Sequence, residues 1–287
     1  MRHSLTITTG GIGSGIGGNR ETFEMNWIEV NGTSLRCELT GSGGSVLVLI
    51  HEMGGTLESW DQVMPVLSNT RRVLRFDMRG AGMSGKIVDA VTWDVMADDI
   101  AALLDAHGIT GKVALAGTAV GAGIAVHFSV RHAARTGALV VSSPALGVAG
   151  DRRKATLDRA AAARAQGMSG LAETSLANSY PAAVRHDAET FRRFRARWLG
   201  NDPHSFAAIS CMLAEDDITP ELAQITCPAL VIGCKHDALR PPAAVKEIAN
   251  RIGNGEYIEI NSGHFAAVQT PGLISQAIHH YLFSIGY

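Results

Sequence analysis

The chain has 287 residues, 46% of them hydrophobic and 18% charged, with a formal net charge of −2. That length allows one large soluble domain with a sizeable core, and the near-balanced charge excludes a general pull toward nucleic acid or an anionic membrane surface. Cys37, Cys211, Cys227 and Cys234 form no C-x-x-C pair, which argues against a zinc ribbon, a redox motif or a disulfide framework and makes a reducing cytoplasm the expected compartment.

The opening residues, 1–23, are rich in Gly and Thr and contain Gly13-Ser14-Gly15-Ile16-Gly17-Gly18, which satisfies G-x-G-x-x-G. A dinucleotide fingerprint needs a strand before it and a helix after it; "NRETFEMNW" supplies no apolar-faced helix, so the segment is expected to be a flexible leader. "SLTIT" is too short and too polar for a signal-peptide core, and no apolar run approaches the roughly 18 residues of a membrane span. "NWIEVNGTSLRCELTG" reads as a hairpin turning at Asn31-Gly32. "SVLVLIH" is a continuous apolar run, the mark of a strand covered on both faces. A helix is expected over "TLESWDQVMPVLSN", a strand over "RRVLRF" running into the polar "DMRG", an amphipathic helix over "TWDVMADDIAALLDAHG", then the strand "KVALAG", a helix over "VGAGIAVHFSVRHAARTG" and the strand "GALVVSSPAL". Alternation resumes with "PALVIG", "PPAAVKEIANRIG", "EYIEI" and "GLISQAIHHYLFSIG". Alternating strands and helices predict an α/β fold with a mostly parallel, eight-stranded sheet. Residues 24–149 and 223–287 form its core. The Ala- and Arg-rich stretch 150–222, helical in pattern, is expected to be a lid over the carboxyl edge of the sheet, where open α/β sheets place their sites.

The strand "KVALAG" runs through Gly117-Thr118-Ala119-Val120-Gly121 into a helix. Strand, sharp turn and helix with glycines two residues either side of a central position is the context of a G-x-S-x-G nucleophile elbow, but the central residue is Ala119. Asp237 follows the strand "PALVIG" and His264 follows the last strand, so nucleophile position, acid and histidine come in the order Ala119, Asp237, His264. His264 is the candidate proton carrier, and Asp237 the group that orients it. In "LIHEMGG" a histidine ends a buried strand and two glycines follow. The backbone N–H groups of Met53 and Val120 are the candidate oxyanion donors, and His51 is expected to pack under the loop. "FDMRGAGMSG" lacks the G-K-[ST] ending of a phosphate loop and reads as a structural turn tied by Asp77 and Arg79. No His/Cys/Asp cluster has metal-ligand spacing, so neither a metal nor another cofactor is expected.

Together "IHEMGGTLESWD", "RRVLRFDMRGAGMSG", "GTAVG", "CPALVIGCKHDALRPP" and "SGHFAAVQTP" resemble the α/β-hydrolase superfamily, in particular lid-bearing hydrolases such as 3-oxoadipate enol-lactonases and the carbon–carbon hydrolases of aromatic ring-cleavage pathways. The resemblance spans residues 25–287. It implies an eight-stranded hydrolase sheet with Asp237 and His264 as triad partners. Ala119 departs from the pattern, and so does Glu52, which stands where a glycine is usual. Glu52 and Trp198 are candidate substrate contacts. Between Arg152 and Arg197 ten Lys and Arg face four acids; charge runs are mostly solvated faces, but one or two arginines facing the cleft would suit a substrate carboxylate.

These features support hydrolysis of a small ester, enol-lactone, amide or C–C diketone by Ser-His-Asp acyl transfer, with the chain being an inactive Ser-to-Ala form at residue 119. Two alternatives stay open: cofactor-free His/Asp base catalysis, as in a dioxygenase or lyase, and a non-catalytic module that binds a small molecule. The expected partner is a small-molecule substrate, with a homodimer left open.

Overall fold

The computed structural model describes residues 26–148, 150 and 152–287; the expected leader over 1–23 lies outside them. Eight strands form one sheet: β1 (Asn26–Val30), β2 (Thr33–Thr40), β3 (Val46–Ile50), β4 (Arg72–Phe76), β5 (Val113–Thr118), β6 (Thr136–Ser142), β7 (Ala229–Cys234) and β8 (Gly255–Ile260), in the order β1-β2-β4-β3-β5-β6-β7-β8. The β1–β2 and β2–β4 pairs are antiparallel and all others parallel, as expected. Asn31 and Gly32 turn the first hairpin with φ of 47° and 72°, the left-handed values that a two-residue turn requires.

The helices are α1 (Met64–Leu67), α2 (Trp93–Ala106), α3 (Val120–Arg131), α4 (Arg152–Gln166), α5 (Ala172–Ser179), α6 (Ala188–Leu199), α7 (Pro203–Glu215), α8 (Pro242–Asn250), α9 (Ala266–Gln269) and α10 (Pro271–Ser284). The central strands alternate between two cores. Val46, Val48 and Ile50 of β3 pack with Val113 and Leu115 of β5 against α2, α3 and α8. Leu47, Leu49, Ala114 and Ala116 pack on the other face against α1 and α10. Burial on both faces explains why these strands read as continuous apolar runs. Helices α4 to α7 lie between β6 and β7, and their own apolar cluster is closed by Phe265 and Val268 from beyond β8. Among the described residues no helix is long and apolar enough to cross a membrane.

One element differs from expectation. Residues 56–69 form a 3-10 turn, Leu57–Trp60, and the single-turn α1 rather than one helix. The Leu57 N–H is captured by Asp77 Oδ1 at 2.8 Å, and Pro65 has no N–H to continue a helical ladder.

Under this segment lies an ionic frame. Arg36 is buried and bridges Asp77 and Glu58; Arg75 is buried and bridges Glu38 and Asp61. Asp77 Oδ2 also accepts the Met83 N–H at 2.8 Å, and Arg79 holds Asp99 through two hydrogen bonds of 2.9 and 2.7 Å. Asp77 and Arg79 thus tie the loops, as the sequence suggested. Burial works to raise the Glu58 carboxyl, but the hydrogen bond and charge of Arg36 outweigh it and help hold Glu58 at about 2. A depressed folded-state pKa contributes stability above the unfolded value, and that stability fades as pH falls through the folded one. Glu58→Gln is therefore expected to cost about 1–3 kcal/mol at pH 7. Between pH 4.5 and 2 the variant loses less stability than the parent, and urea melts at several pH values check this; parallel losses would contradict it.

Candidate active site

The elbow forms because β5 and α3 pack too closely for side chains. A Cβ on Gly117 would lie 2.4 Å from the Gly121 carbonyl oxygen, and one on Gly121 would lie 2.3 Å from that of Ile50 and 2.4 Å from that of His51. Between the glycines, Ala119 takes φ 54° and ψ −116°, a conformation that costs a residue with a Cβ about 1–3 kcal/mol. Three hydrogen bonds hold it there: the Ala119 N–H donates to the Ser142 carbonyl at 3.0 Å, and its own carbonyl accepts from Gly123 at 3.2 Å and Ala145 at 3.0 Å. Val120 opens α3, so its N–H has no intrahelical acceptor.

Asp237 leaves the end of β7 and His264 the end of β8, and they meet there. His264 Nδ1 lies 2.8 Å from Asp237 Oδ2. The carboxylate only accepts, so Nδ1 carries the proton and donates it, and Nε2 has no hydrogen-bond partner among the described residues. Asp237 Oδ1 accepts the N–H groups of Leu239 and Arg240 at 2.9 and 3.0 Å. Burial works to raise the Asp237 carboxyl, but the hydrogen bond and charge of His264 and the Arg240 amide help hold it below the usual carboxylate range. Gln269 braces the histidine loop: its Oε1 accepts the Phe265 N–H at 3.1 Å and its Nε2 donates to Ser179 of the lid at 2.8 Å.

The loop after β3 is fixed from below. His51 is fully buried; its Nε2 accepts the Met78 N–H at 3.0 Å, which leaves Nδ1 to donate to the Glu52 carbonyl at 2.7 Å. The expectation that Glu52 touches substrate needs correction. Glu52 is fully buried, its Oε1 accepts from Ser59 Oγ at 2.7 Å, and its carboxylate folds over Gly55, where a Cβ would come within 2.4 Å. It braces the loop and does not line the cleft. Gly54 has φ 84°, and a Cβ there would lie 2.5 Å from Trp198 Nε1. Asn201 donates to the Gly54 carbonyl at 2.9 Å. The end of α6 therefore rests directly on this loop. The Met53 N–H makes no hydrogen bond among the described residues.

A cavity of about 280 Å³ opens between sheet edge and lid, and Met53, Ala119, Val120, Trp198 and His264 line it. Asp237 stands behind His264. The arginines of "FRRFRARW" do not enter: Arg192 and Arg193 pair with Glu189, Arg195 pairs with Glu173, and Arg197 lines a separate polar cleft. Arg152 and Arg159 of α4 line the cavity instead, with Arg240 and Phe206. Sequence reasoning missed Arg240 and Phe206; the one signal for Arg240 was its place three residues after Asp237.

A family model described as Hydrolase_4, serine aminopeptidase S33, matches residues 43–263. Pyrrolizixenacetamide deacetylase of Xenorhabdus hominickii is 24% identical over 270 residues, covering 91% of this chain and 98% of the relative. Among solved structures, the enol-lactonase of Burkholderia xenovorans superposes with a TM-score of 0.85 at 26% identity, covering 90% of this chain and 99% of that one. A malate-bound thermophilic esterase of Thermogutta terrifontis superposes at 0.84 with 27% identity, covering 92% and 98%.

The Gly54 contact makes a direct test. Gly54→Ala is expected to cost about 2–4 kcal/mol, the sum of a left-handed alanine and an overpacked neighbour, and to change the near-ultraviolet signal of Trp198. Gly32→Ala, at φ 72° with open space around it, should pay only the first part and leave that signal unchanged. Equal costs in denaturant melts would count against the Trp198 contact.

Proposed function

The chain belongs to the serine aminopeptidase S33 family of α/β-hydrolases, and from that premise we propose that its cleft serves hydrolysis of a small ester, enol-lactone or amide by acyl transfer, with residue 119 as the nucleophile position. The observation that carries this is Ala119 itself, held at φ 54° at the mouth of α3 beside a His–Asp pair. An alanine gains nothing from that strained backbone, whereas a serine there presents its Oγ to His264.

With a serine at 119, His264 Nε2 takes the hydroxyl proton as Oγ bonds to the substrate carbonyl carbon. The carbonyl oxygen becomes an anion facing the N–H groups of Met53 and Val120. Collapse breaks the bond to the leaving group, which takes the proton back from His264; water, deprotonated by the same histidine, then releases the acyl group as an acid. Asp237 holds the imidazole in the required tautomer. The activities named for the relatives, deacetylation, lactone opening and ester cleavage, share this acyl transfer to water. With the methyl of Ala119 the covalent step has no nucleophile, and the chain is a hydrolase scaffold without its reactive oxygen.

A second reading is favoured by the alanine together with the unpartnered Nε2 of His264: the His264–Asp237 pair acts alone as a base on a substrate carbon acid.

Ala119→Ser is expected to raise hydrolysis of p-nitrophenyl acetate about 10³-fold or more, the order gained when a triad member is restored. In that background Asp237→Asn should lower kcat about 10⁴-fold. Proton exchange or oxygen uptake by the parent, with an inert serine form, would select the second reading. Ligand binding with no turnover by either form would reject both.

A further inference from the structure

The cavity carries positive charge that the protein leaves without counter-ions. Arg152, Ala155, Thr156 and Arg159 all line it, and their spacing of three, four and seven residues puts them on one face of α4. The two arginines are two helical turns apart, roughly 10 Å along the axis. Arg159 lies over the Phe206 ring at 5.1 Å from its centroid, and its Nε is buried without a partner. Arg240 gives its Nε to the Pro144 carbonyl at 3.2 Å and Nη1 to that of Leu239 at 3.0 Å. Arg152 reaches the same Leu239 carbonyl at 3.4 Å, so the two guanidinium groups converge. Burial lowers Arg240, and the Arg152 charge lowers it further.

No Asp or Glu lines the cavity, and none of the three arginines pairs with a carboxylate among the described residues. Asp237, the nearby acid, is hydrogen-bonded to His264 and acts on the Arg240 guanidinium only through its charge, without pairing with it. Arg36, Arg75, Arg79 and Arg131 each hold an acid; Arg71, buried elsewhere in the fold, also lacks one but lines no cavity with other arginines. Arg152 is exposed, but Arg159 and Arg240 are half-buried, and half-buried cations without counter-ions are costly unless an anion joins them. A guanidinium stacked on a ring, with its remaining N–H groups free, matches a carboxylate in plane and spacing. Most of the remaining lining is apolar, including Met53, Val148, Leu213, Phe206 and Phe265, with Thr156, Ser175, Ser179 and His264 as its polar members.

We propose that the cavity selects a small acyl substrate with a hydrocarbon body and a carboxylate, that Arg159 is the specificity-determining residue that holds this carboxylate, and that Arg152 and Arg240 supply the attracting field. The word acyl rests on the hydrolase reading; the carboxylate seat stands without it. A neutral ester of the same size could accept a hydrogen bond from Arg159 but would bring no charge to balance it.

The test uses the full chain and a charge series of one body: adipate, monomethyl adipate and dimethyl adipate, titrated calorimetrically at low salt. Monomethyl adipate is expected to bind at least tenfold more tightly than dimethyl adipate, with the difference shrinking as salt rises. Arg159→Gln should abolish the preference, Arg159→Lys should keep part of it, and Arg193→Gln, an exposed lid arginine outside the cavity, should leave it intact. Equal binding of charged and neutral members, binding by none of them, or a preference that survives Arg159→Gln in a folded variant overturns the proposal. Ala119→Ser assayed on p-nitrophenyl acetate reports on the hydrolase reading alone. The ratio of kcat/KM for p-nitrophenyl hemiglutarate over the acetate then reports on the seat: a ratio of ten or more that falls in Arg159→Gln supports it, and a ratio near one overturns it.

Discussion

The cleft depends on one close approach, that of α3 to the end of β3. Gly121 backs onto the carbonyls of Ile50 and His51 with no room for a Cβ. That contact does two things at once. It forces the chain between β5 and α3 through the left-handed turn at Ala119, and it sets the height at which the loop after β3 leaves the sheet. Met53 and Val120, sixty-seven positions apart in the chain (120 − 53), both line the one cavity beside this close approach.

The loop after β3 is held from every other side as well. His51 clamps it to the β4 side through Met78, Glu52 ties it to Ser59, and the Asp77–Arg36–Glu58 cluster fixes the segment beneath. From above, Trp198 and Asn201 of the lid press on Gly54. Helices α6 and α7 and the loop after β3 are thus packed as one piece. Gln269, which joins the His264 loop to Ser179, makes the same connection on the far side of the cleft. Ordering a loop costs backbone entropy, and here that cost is met before any ligand arrives.

Some of this was legible in the residues. The apolar runs of β3 to β7 announce a sheet covered on both faces, and Asn31-Gly32 announces its hairpin. Ala119, Asp237 and His264 could be found because each follows a strand, and parallel strands deliver their carboxyl ends to one edge. Glu52 was misjudged because its place beside the oxyanion loop says nothing of which way the side chain turns; Gly55, three residues on, leaves it space to fold away. The conspicuous arginines of "FRRFRARW" drew attention by density, yet α6 turns them to solvent and to their own acids. Arg159 and Arg240, isolated in the sequence, are the ones the cleft receives.

The sequence by itself determined the order and type of nearly all the elements, the segment 56–69 excepted, the helical insertion between β6 and β7, and the positions from which the His–Asp pair and the elbow are built. These follow from local rules: period, turn chemistry, and the steric freedom of glycine. Only the tertiary structure decided which lid helix faces the sheet edge, which cations share the cavity without acids, and that Glu52 supports the loop rather than facing the cleft. Such facts depend on the rotation of one packed helix against another surface, and helices with charge on several faces carry no local signal that sets it.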